Sequence, residues 1–580
     1  MHTVQPDVVT DVLIVGSGPA GASAALALST YGVANMVVTR YASLADTPRA
    51  HITNQRTMEV LRDLGVEDEV IAKATPQHLM GNTTFCTSLA GEELGRLRSW
   101  GNDPLVQAAH DLASPTRMCD MPQHLMEPVL VDAAVARGTV LRYSTVYKSF
   151  VQDEFGVTVT VEDRVRGDEY TIRAKYLIGA DGGRSQVAED AGLPTVGRMG
   201  VAGSVNIVFD ADLTQYTAHR PSTLYWVLTP GATVGGIGAG LVRCVRPWHE
   251  WLIVWGYDVT AGAPDLTTEY AESVVRKLIG DDEIPVTIKS SSAWTVNDLY
   301  AETYSNGRVF CAGDAVHRHP PSNGLGSNTS IQDAYNLAWK LKLVLEGTAS
   351  PRLLDTYSAE RAPIGRQIVT RANKSIGETA PVFDALDLLA PQTPEQLHAN
   401  IASRKDTGAA AEKRRERLRE AIAFKAYEFN AHGVDLNQRY DSDAVVPDGT
   451  PDPGFDRDPE LYHQPSSRPG AKLPHAWITS GTRTLSTLDT VGKGRFTVLT
   501  GIGGEEWVRA AGELGLASVV IGPGQEYEDP YGDWARLREV SDAGVLLVRP
   551  DGYVAFRHAG AAQDAGRRLS DALGRVLGRG

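Results

Sequence analysis

The stretch VLIVGSGPAGASAALALSTYGVANMVV, residues 12–38, reads as strand, glycine turn, helix and strand. Val12 to Val15 is an apolar run, Ala20 to Tyr31 is alanine-rich, and Met36 to Val38 is apolar again, the pattern of a βαβ opening. Gly16, Gly18 and Gly21 lie between the first strand and the helix. In that context the first glycine permits a tight turn, the second lets backbone approach a pyrophosphate, and the third permits close helix packing, while the helix N-terminus faces the anion. Alone the motif is weak. The acidic residue that usually ends the second strand and holds an adenosine ribose is replaced by Thr39-Arg40, so ribose recognition falls to the Thr39 hydroxyl or to the backbone of Arg40.

Working outward, 580 residues are too many for one core, and roughly 100 to 200 residues per domain gives about three units. A net charge of −15 argues against nucleic acid and anionic membranes, which demand clustered positive charge. The N-terminus MHTVQPDVVTD has no basic region followed by an apolar stretch, and no apolar run approaches the roughly 20 residues a bilayer needs, so a cytoplasmic enzyme is expected. Cys86, Cys119, Cys244 and Cys311 lie far apart, which fits neither a disulfide framework nor a zinc site.

Val157 to Val161 and Thr223 to Val227, with tryptophans at 226, 248, 251 and 255, look sheet-like and aromatic, as a wall over a hydrophobic ligand would. Helical patterning returns at Ser330 to Leu345. A charged helical stretch around Glu412 to Ala423 precedes VPDGTPDPGFDRDPE, which reads as an interdomain connection. Beyond it FTVLTG, SVVIG and GVLLVRPDGYVAFR supply buried strands of a separate small α/β unit.

Two further motifs decide the matter. YLIGADGGRS (Tyr176 to Ser185) and GRVFCAGDAVHRHPPSNGLGSN (Gly307 to Asn328) resemble the DG and GD fingerprints of group A flavoprotein aromatic hydroxylases, the para-hydroxybenzoate hydroxylase superfamily. PRAHITNQRTMEVLRDLG (48–65), MCDMPQHLMEP (118–128), STLYWVL (222–228) and VRPWHEW (245–251) extend the likeness to the phenol ortho-hydroxylases of that family over essentially the whole chain. The resemblance implies an α/β fold. Its parts would be a discontinuous Rossmann-like FAD-binding domain (1–195 and 296–385), an inserted β-sheet substrate domain (196–295), a helical or linker region (386–470) and a thioredoxin-like C-terminal domain (471–580).

It also implies FAD as cofactor, with NADH or NADPH and O2 as co-substrates; NADH is favoured, although no 2′-phosphate clamp is identifiable either way. Asp314 would bond the flavin ribityl chain, Asp181 would serve pyrophosphate and nicotinamide handling, and Gln123 and Arg49 would touch the flavin. Each aspartate taken singly reads equally well as a helix cap or turn residue. The Pro321 carbonyl would face the terminal oxygen of a flavin C4a-hydroperoxide. Independently of the family, Pro320-Pro321 and the glycine-spaced segment place a helix start near Gly326, Ser327 and Asn328, whose free N–H groups would stabilise the anionic edge of a reduced flavin by on the order of 1 kcal/mol. His317, His319 and Asp314 lack a third ligand at metal spacing, so no metal is expected.

Electrophilic attack on a ring is faster when its phenol is ionised, and a phenol near ~10 needs a base at neutral pH. By resemblance that base is His51, with Asp120 as its orienting or proton-relay partner, and Trp226 and Arg243 line the active-site wall. The bland readings are a hydrogen-bonded structural histidine, an ion-paired aspartate and a core tryptophan. The cysteine-free C-terminal unit cannot run disulfide exchange and reads as structural, buttressing a homo-oligomer, a dimer or tetramer. Rival readings are a flavoprotein oxidoreductase that inserts no oxygen, a tailoring hydroxylase of a larger polycyclic phenol, a flavin-dependent halogenase, whose WxWxIP signature is absent, and a non-catalytic FAD-binding partner protein. The particular phenol is not legible, because one apolar side chain is worth only about 1 to 3 kcal/mol of discrimination.

Overall fold

Val12–Val15, Asn35–Val38, Leu177–Gly179 and Val309–Cys311 are buried apolar runs, and they pair in parallel as neighbours at the centre of one sheet. Parallel strands buried on both faces need crossover helices over them. The helix Pro19–Thr30 supplies one: proline opens it, and alanines and leucines keep ten of its residues buried. In this computed structural model, which describes residues 6–228, 239–389 and 392–579, the sheet has eight strands, two of them an antiparallel extension from Thr145–Gln152 and Val157–Asp163.

A second eight-stranded sheet runs, in spatial order, His317–Arg318, Thr287–Ala301, Thr195–Asp210, Glu250–Tyr257, Gly240–Arg246, Ser222–Val227, Asn82–Cys86 and Glu93–Arg98. Its membership is wider than the interval 196–295. Asn82–Cys86 pairs in parallel with Ser222–Val227, and this satisfies backbone groups that the buried strand would otherwise leave open. The long strands Thr195–Asp210 and Thr287–Ala301 cross the expected borders and carry the chain from one sheet to the other.

Strand alternation divides the tryptophans. Tyr225, Val227, Val242, Trp251, Ile253 and Trp255 pack with the helix Thr268–Ile279, and Trp248 packs beside them. Trp226 lies on the opposite face, in an apolar cluster with Ile52, Phe85, Trp100 and Met118. The wall expected from four tryptophans is therefore built with one of them, because a residue two places along a strand shares its face and an adjacent one does not.

The segment after 386 covers more than it connects. Helices Pro394–Ala402, Ala409–Phe424 and Ala426–Phe429 place Ile401, Leu418, Ile422 and Phe429 in the Trp226 cluster. The C-terminal unit follows the order strand Thr497–Thr500, helix Glu505–Glu513, strand Ala517–Val520, then the antiparallel strands Val545–Val548 and Val554–His558 and the helix Ala565–Val576, the thioredoxin-like arrangement. It is fastened through Arg549, which forks onto Glu360 at 2.6 and 2.8 Å and onto Asp551 at 2.6 Å. Lys340 and Asn336 each donate to the same Glu360 carboxylate at 2.8 Å. Glu360, Lys340 and Arg549 are almost wholly buried, so each depends on the others for its charge. Among the described residues no helix is long and apolar enough to cross a membrane.

Candidate active site

The three fingerprint motifs leave the same edge of the first sheet. Val15 pairs with Gly179 and Gly179 with Cys311, so Gly16, Asp181 and Asp314 follow the carboxyl ends of adjacent parallel strands. That edge is where open α/β sheets bind ligands. Gly16 holds φ at +107°, and a Cβ there would lie 2.2 Å from the Ala180 carbonyl oxygen. A Cβ on Gly21 would lie 2.0 Å from the Gly16 carbonyl oxygen. Gly18 differs: its Cβ would meet nothing closer than Glu127 Oε1 at 3.9 Å, which leaves room over the helix start for a pyrophosphate.

The second helix start also fits a flavin. Gly324, in the left-handed region at φ 65°, caps Leu325–Leu345 without a side-chain hydrogen bond, which frees the N–H groups of Leu325, Gly326 and Ser327. Asn328 lies one position further in than the sequence reading placed it. The left-handed glycine starts the helix early, so the backbone N–H of Asn328 is within the helical ladder and its side chain does the work. Asn328 Oδ1 accepts from Asn54 N at 3.0 Å, and its Nδ2 donates to Ile52 O at 2.8 Å and Gly324 O at 2.6 Å, fastening the helix start to the strand after His51. The Pro321 carbonyl accepts from Gly324 N at 3.1 Å and keeps a second lone pair. The Asp314 carboxylate is exposed and takes no hydrogen bond from the described residues. The open Gly18 turn, the free N–H groups and this unpaired acid together fit FAD along the edge.

His51 Nδ1 and Asp120 Oδ2 are 2.8 Å apart. Two backbone bonds fix the pair: Met121 N donates to His51 O at 2.6 Å, and Gln123 N donates to Ala50 O at 2.7 Å. Burial and the charge of Arg243 hold the His51 imidazole below its ordinary range, against the pull of Asp120, so it is neutral at physiological pH. Burial lowers Arg243 itself to about 10. Asp120 Oδ1, Arg243 Nε and Nη2 and Trp226 Nε1 are buried without partners, the mark of a place left for a polar ligand.

The other candidate residues divide. Asp181 caps the helix Gln186–Asp190, accepting from Ser185 Oγ at 2.5 Å and Gln186 N at 2.8 Å. Arg40 is exposed and bonds Tyr41 Oη at 3.1 Å. Gln123 opens the helix Gln123–Ala136 and donates to Glu127, while Arg49 is exposed with its carbonyl bound by Arg243. Two residues escaped the sequence reading. Glu127, 2 % exposed beside Gly18, is pushed up by burial and accepts from Ala45 N at 2.9 Å. Asp333, fully buried, accepts from Gly313 N at 3.1 Å, His317 Nε2 at 2.9 Å and Arg361 Nε at 2.7 Å, and so holds the turn that presents Asp314. Burial opposes its ionisation, but Arg361 and His317 outweigh burial and keep it below the usual carboxylate range. A buried acid at i+16 from a histidine carries no local sequence signal, so only the fold reveals it.

Residues 9–372 match the family described as FAD binding domain, and residues 466–580 match aromatic-ring hydroxylase, C-terminal. The chain is 56% identical over 574 residues to 2,4-dichlorophenol 6-monooxygenase of Delftia acidovorans, covering 98% of each chain. It is 51% identical over 572 residues to phenol 2-monooxygenase of Pseudomonas sp. (strain EST1001), covering 97% of this chain and 92% of that one. Among solved structures, the flavin-dependent monooxygenase PieE, in complex with FAD and substrate, superposes with a TM-score of 0.95 at 46% identity, covering 99% of this chain and 100% of that chain. With both domains matched along nearly the full length, the chain belongs to the family of FAD-binding aromatic-ring hydroxylases and is a flavoprotein monooxygenase.

Proposed function

We propose that this enzyme hydroxylates a phenol at the carbon next to its hydroxyl, giving a catechol, with NAD(P)H and O2 consumed. The observation that carries the reading is the 2.8 Å contact between His51 and the buried Asp120 at the edge of the apolar Trp226 cluster. Bound FAD, reduced by the nicotinamide and reacted with O2, supplies the electrophilic oxygen.

The protein's own part is to ionise, orient and shelter the ring. His51 Nε2, on the far side of the imidazole from Asp120, takes the phenol proton. Asp120 holds the ring in the tautomer that leaves Nε2 free and stabilises the imidazolium that forms. The gap between a phenol near ~10 and an ordinary histidine near ~6.5 costs about 5 kcal/mol, and the lowering of His51 adds to it; a nearby cation narrows the cost by favouring the phenolate. Arg243 is that cation, with Nη2 unpaired. The apolar side chains of Ile52, Phe85, Met118 and Trp226 exclude water that would uncouple the reaction. Gly16, Gly18, Gly21, Asp314, Gly326 and Ser327 would hold the cofactor, with Asn328 fixing the helix start.

Substrate-stimulated NAD(P)H oxidation under labelled O2 tests the proposal: one labelled atom is expected in the catechol, ortho to the original hydroxyl. Oxidation without incorporation would assign the chain to flavoproteins that insert no oxygen. A cytoplasmic dimer or tetramer is part of the same reading; light scattering at the mass of one chain would overturn the assembly.

A further inference from the structure

Lys425 stands at the junction of the helices Ala409–Phe424 and Ala426–Phe429, in the stretch that the sequence presents as a connector, and it is 0 % exposed. A lysine is almost never fully buried without partners. Its ammonium donates to Ser375 O at 3.0 Å and Thr379 Oγ1 at 2.7 Å and forms an ion pair with Glu428. These contacts account for its charge. They do not account for its aromatic contacts: Nζ lies 5.6 Å from the ring centroid of Phe429, on its own segment, and 5.7 Å from that of Trp226 on the second sheet, both within the reach of a cation–π contact and strengthened by the absence of water.

Trp226 is held by little else that is directional. Phe85 stacks on it at 6.1 Å with 25° between the planes, while Trp226 Nε1 is buried without an acceptor. Leu224, two residues back on the same strand, is registered opposite Arg243, so Trp226 and Arg243 share one face of the sheet. Arg243 touches the loop before His51 from that face. The indole thus belongs to the wall that meets the substrate, and a fixed ammonium decides how its plane lies.

We propose that Lys425 is a positioning residue of the substrate wall: its ammonium fixes the plane of Trp226, and with it a buried N–H donor left for the phenolic substrate. The inference rests on the proposed phenol hydroxylation and adds to it a residue from outside both sheets. Ring placement sets whether oxygen goes to carbon or is lost as hydrogen peroxide. Disturbing the indole therefore shows first as uncoupling and as a higher KM, with flavin reduction spared.

The test uses the holoenzyme, with phenol as probe. Lys425→Met alone strands Glu428, so Lys425→Met/Glu428→Gln is the working variant. It is expected to keep its FAD content and its NAD(P)H oxidation rate without phenol, to raise KM by up to about thirtyfold, the equivalent of one desolvated cation–π contact, and to release most reducing equivalents as hydrogen peroxide. In a Trp226→Leu background the same pair of changes is expected to add nothing to KM or coupling, because the indole that the ammonium positions is gone while its contact with the Phe429 ring, at 5.6 Å, is common to both backgrounds. Unchanged coupling and KM in a folded double variant, or full additivity with Trp226→Leu, overturns the role given to Lys425. A wild-type enzyme that fails to form labelled catechol overturns the proposed function instead, so the two failures are told apart.

Discussion

Arg243 reaches from the second sheet to two successive carbonyls, Pro48 at 2.7 Å and Arg49 at 2.6 Å, and ties the Trp226 face of that sheet to the loop that ends in His51. The same guanidinium disfavours protonation of His51. Removing it raises the imidazole's pKa, so in Arg243→Met the acid limb of the kcat/KM profile moves to higher pH. An acid limb at its wild-type position would show that Arg243 and His51 are not electrically coupled.

His51→Ala keeps the glycine turn, the unpaired Asp314 and the free helix start, so FAD binding and flavin reduction are expected to persist. Ortho-hydroxylation near neutral pH falls by about 10²- to 10⁴-fold, the usual worth of a positioned base. Part of the loss returns as the pH approaches ~10, where the phenol ionises unaided. Full activity with the product position unchanged would remove His51 from the base role.

Gly18 and Gly21 are expected to fail differently. Gly21→Ala forces a methyl to 2.0 Å from the Gly16 carbonyl oxygen, so the turn opens and both Tm and FAD retention fall. Gly18→Ala meets nothing nearer than 3.9 Å and leaves Tm in place while weakening FAD, since its methyl occupies ligand space. Thermal melts with and without added FAD separate the two, and equal losses of Tm would contradict this division.

Burial raises Asp435, which accepts from Asn54 Nδ2 at 2.7 Å, to about 7. The folded chain then binds more protons at this site than the unfolded chain does between the ordinary value of 3.8 and about 7, so the contribution to stability is lost as pH rises through that window. Asp435→Asn keeps an acceptor for Asn54 and is expected to flatten the decline. Denaturant titrations at pH 4 and pH 7 compare the two proteins, and an identical slope with pH would refute the assignment.

Asp333→Ala leaves Arg361 as a buried cation without its acid and frees the N–H of Gly313. Breaking such a pair costs about 3–5 kcal/mol. FAD affinity is expected to fall as well, because the turn bearing Asp314 loses its anchor; a normal affinity in the folded variant would argue that Asp333 serves stability alone.

The local turn chemistry was legible. Gly21 needs its missing side chain for a reason five residues away, the Gly16 carbonyl, and Gly16 turns at a positive φ, while the strand and helix flanking them follow from apolar runs and alanines; the Ala180 carbonyl that also crowds Gly16 lies far off in sequence. The His51 and Asp120 pair was readable only through resemblance, since 69 positions separate the partners and a backbone register between Ile52 and Asp120 unites them. What stayed hidden was long-range. Asn82–Cys86 joins a sheet most of whose strands lie more than a hundred residues on, Trp251 and Trp255 turn to the face opposite Trp226 by strand parity, and Lys425 looks like one more charge on a charged helix. Position in sequence does not announce such partners, because the energy that fixes them comes from tertiary burial.

The Glu360 node also makes the two ends of the chain depend on one another. The Glu360 carboxylate on the helix Asp355–Gly377 pairs with Lys340 from its own domain and with Arg549 from the C-terminal unit, whose second charge partner is Asp551. Asn336 and Lys340, both on the helix that begins at Leu325, donate to the same carboxylate, so that helix is tied to the C-terminal unit through Glu360. Truncation before Arg549 therefore leaves that buried acid of the FAD-binding domain with only its lysine, so the loss is expected to reach both domains rather than the C-terminal unit alone.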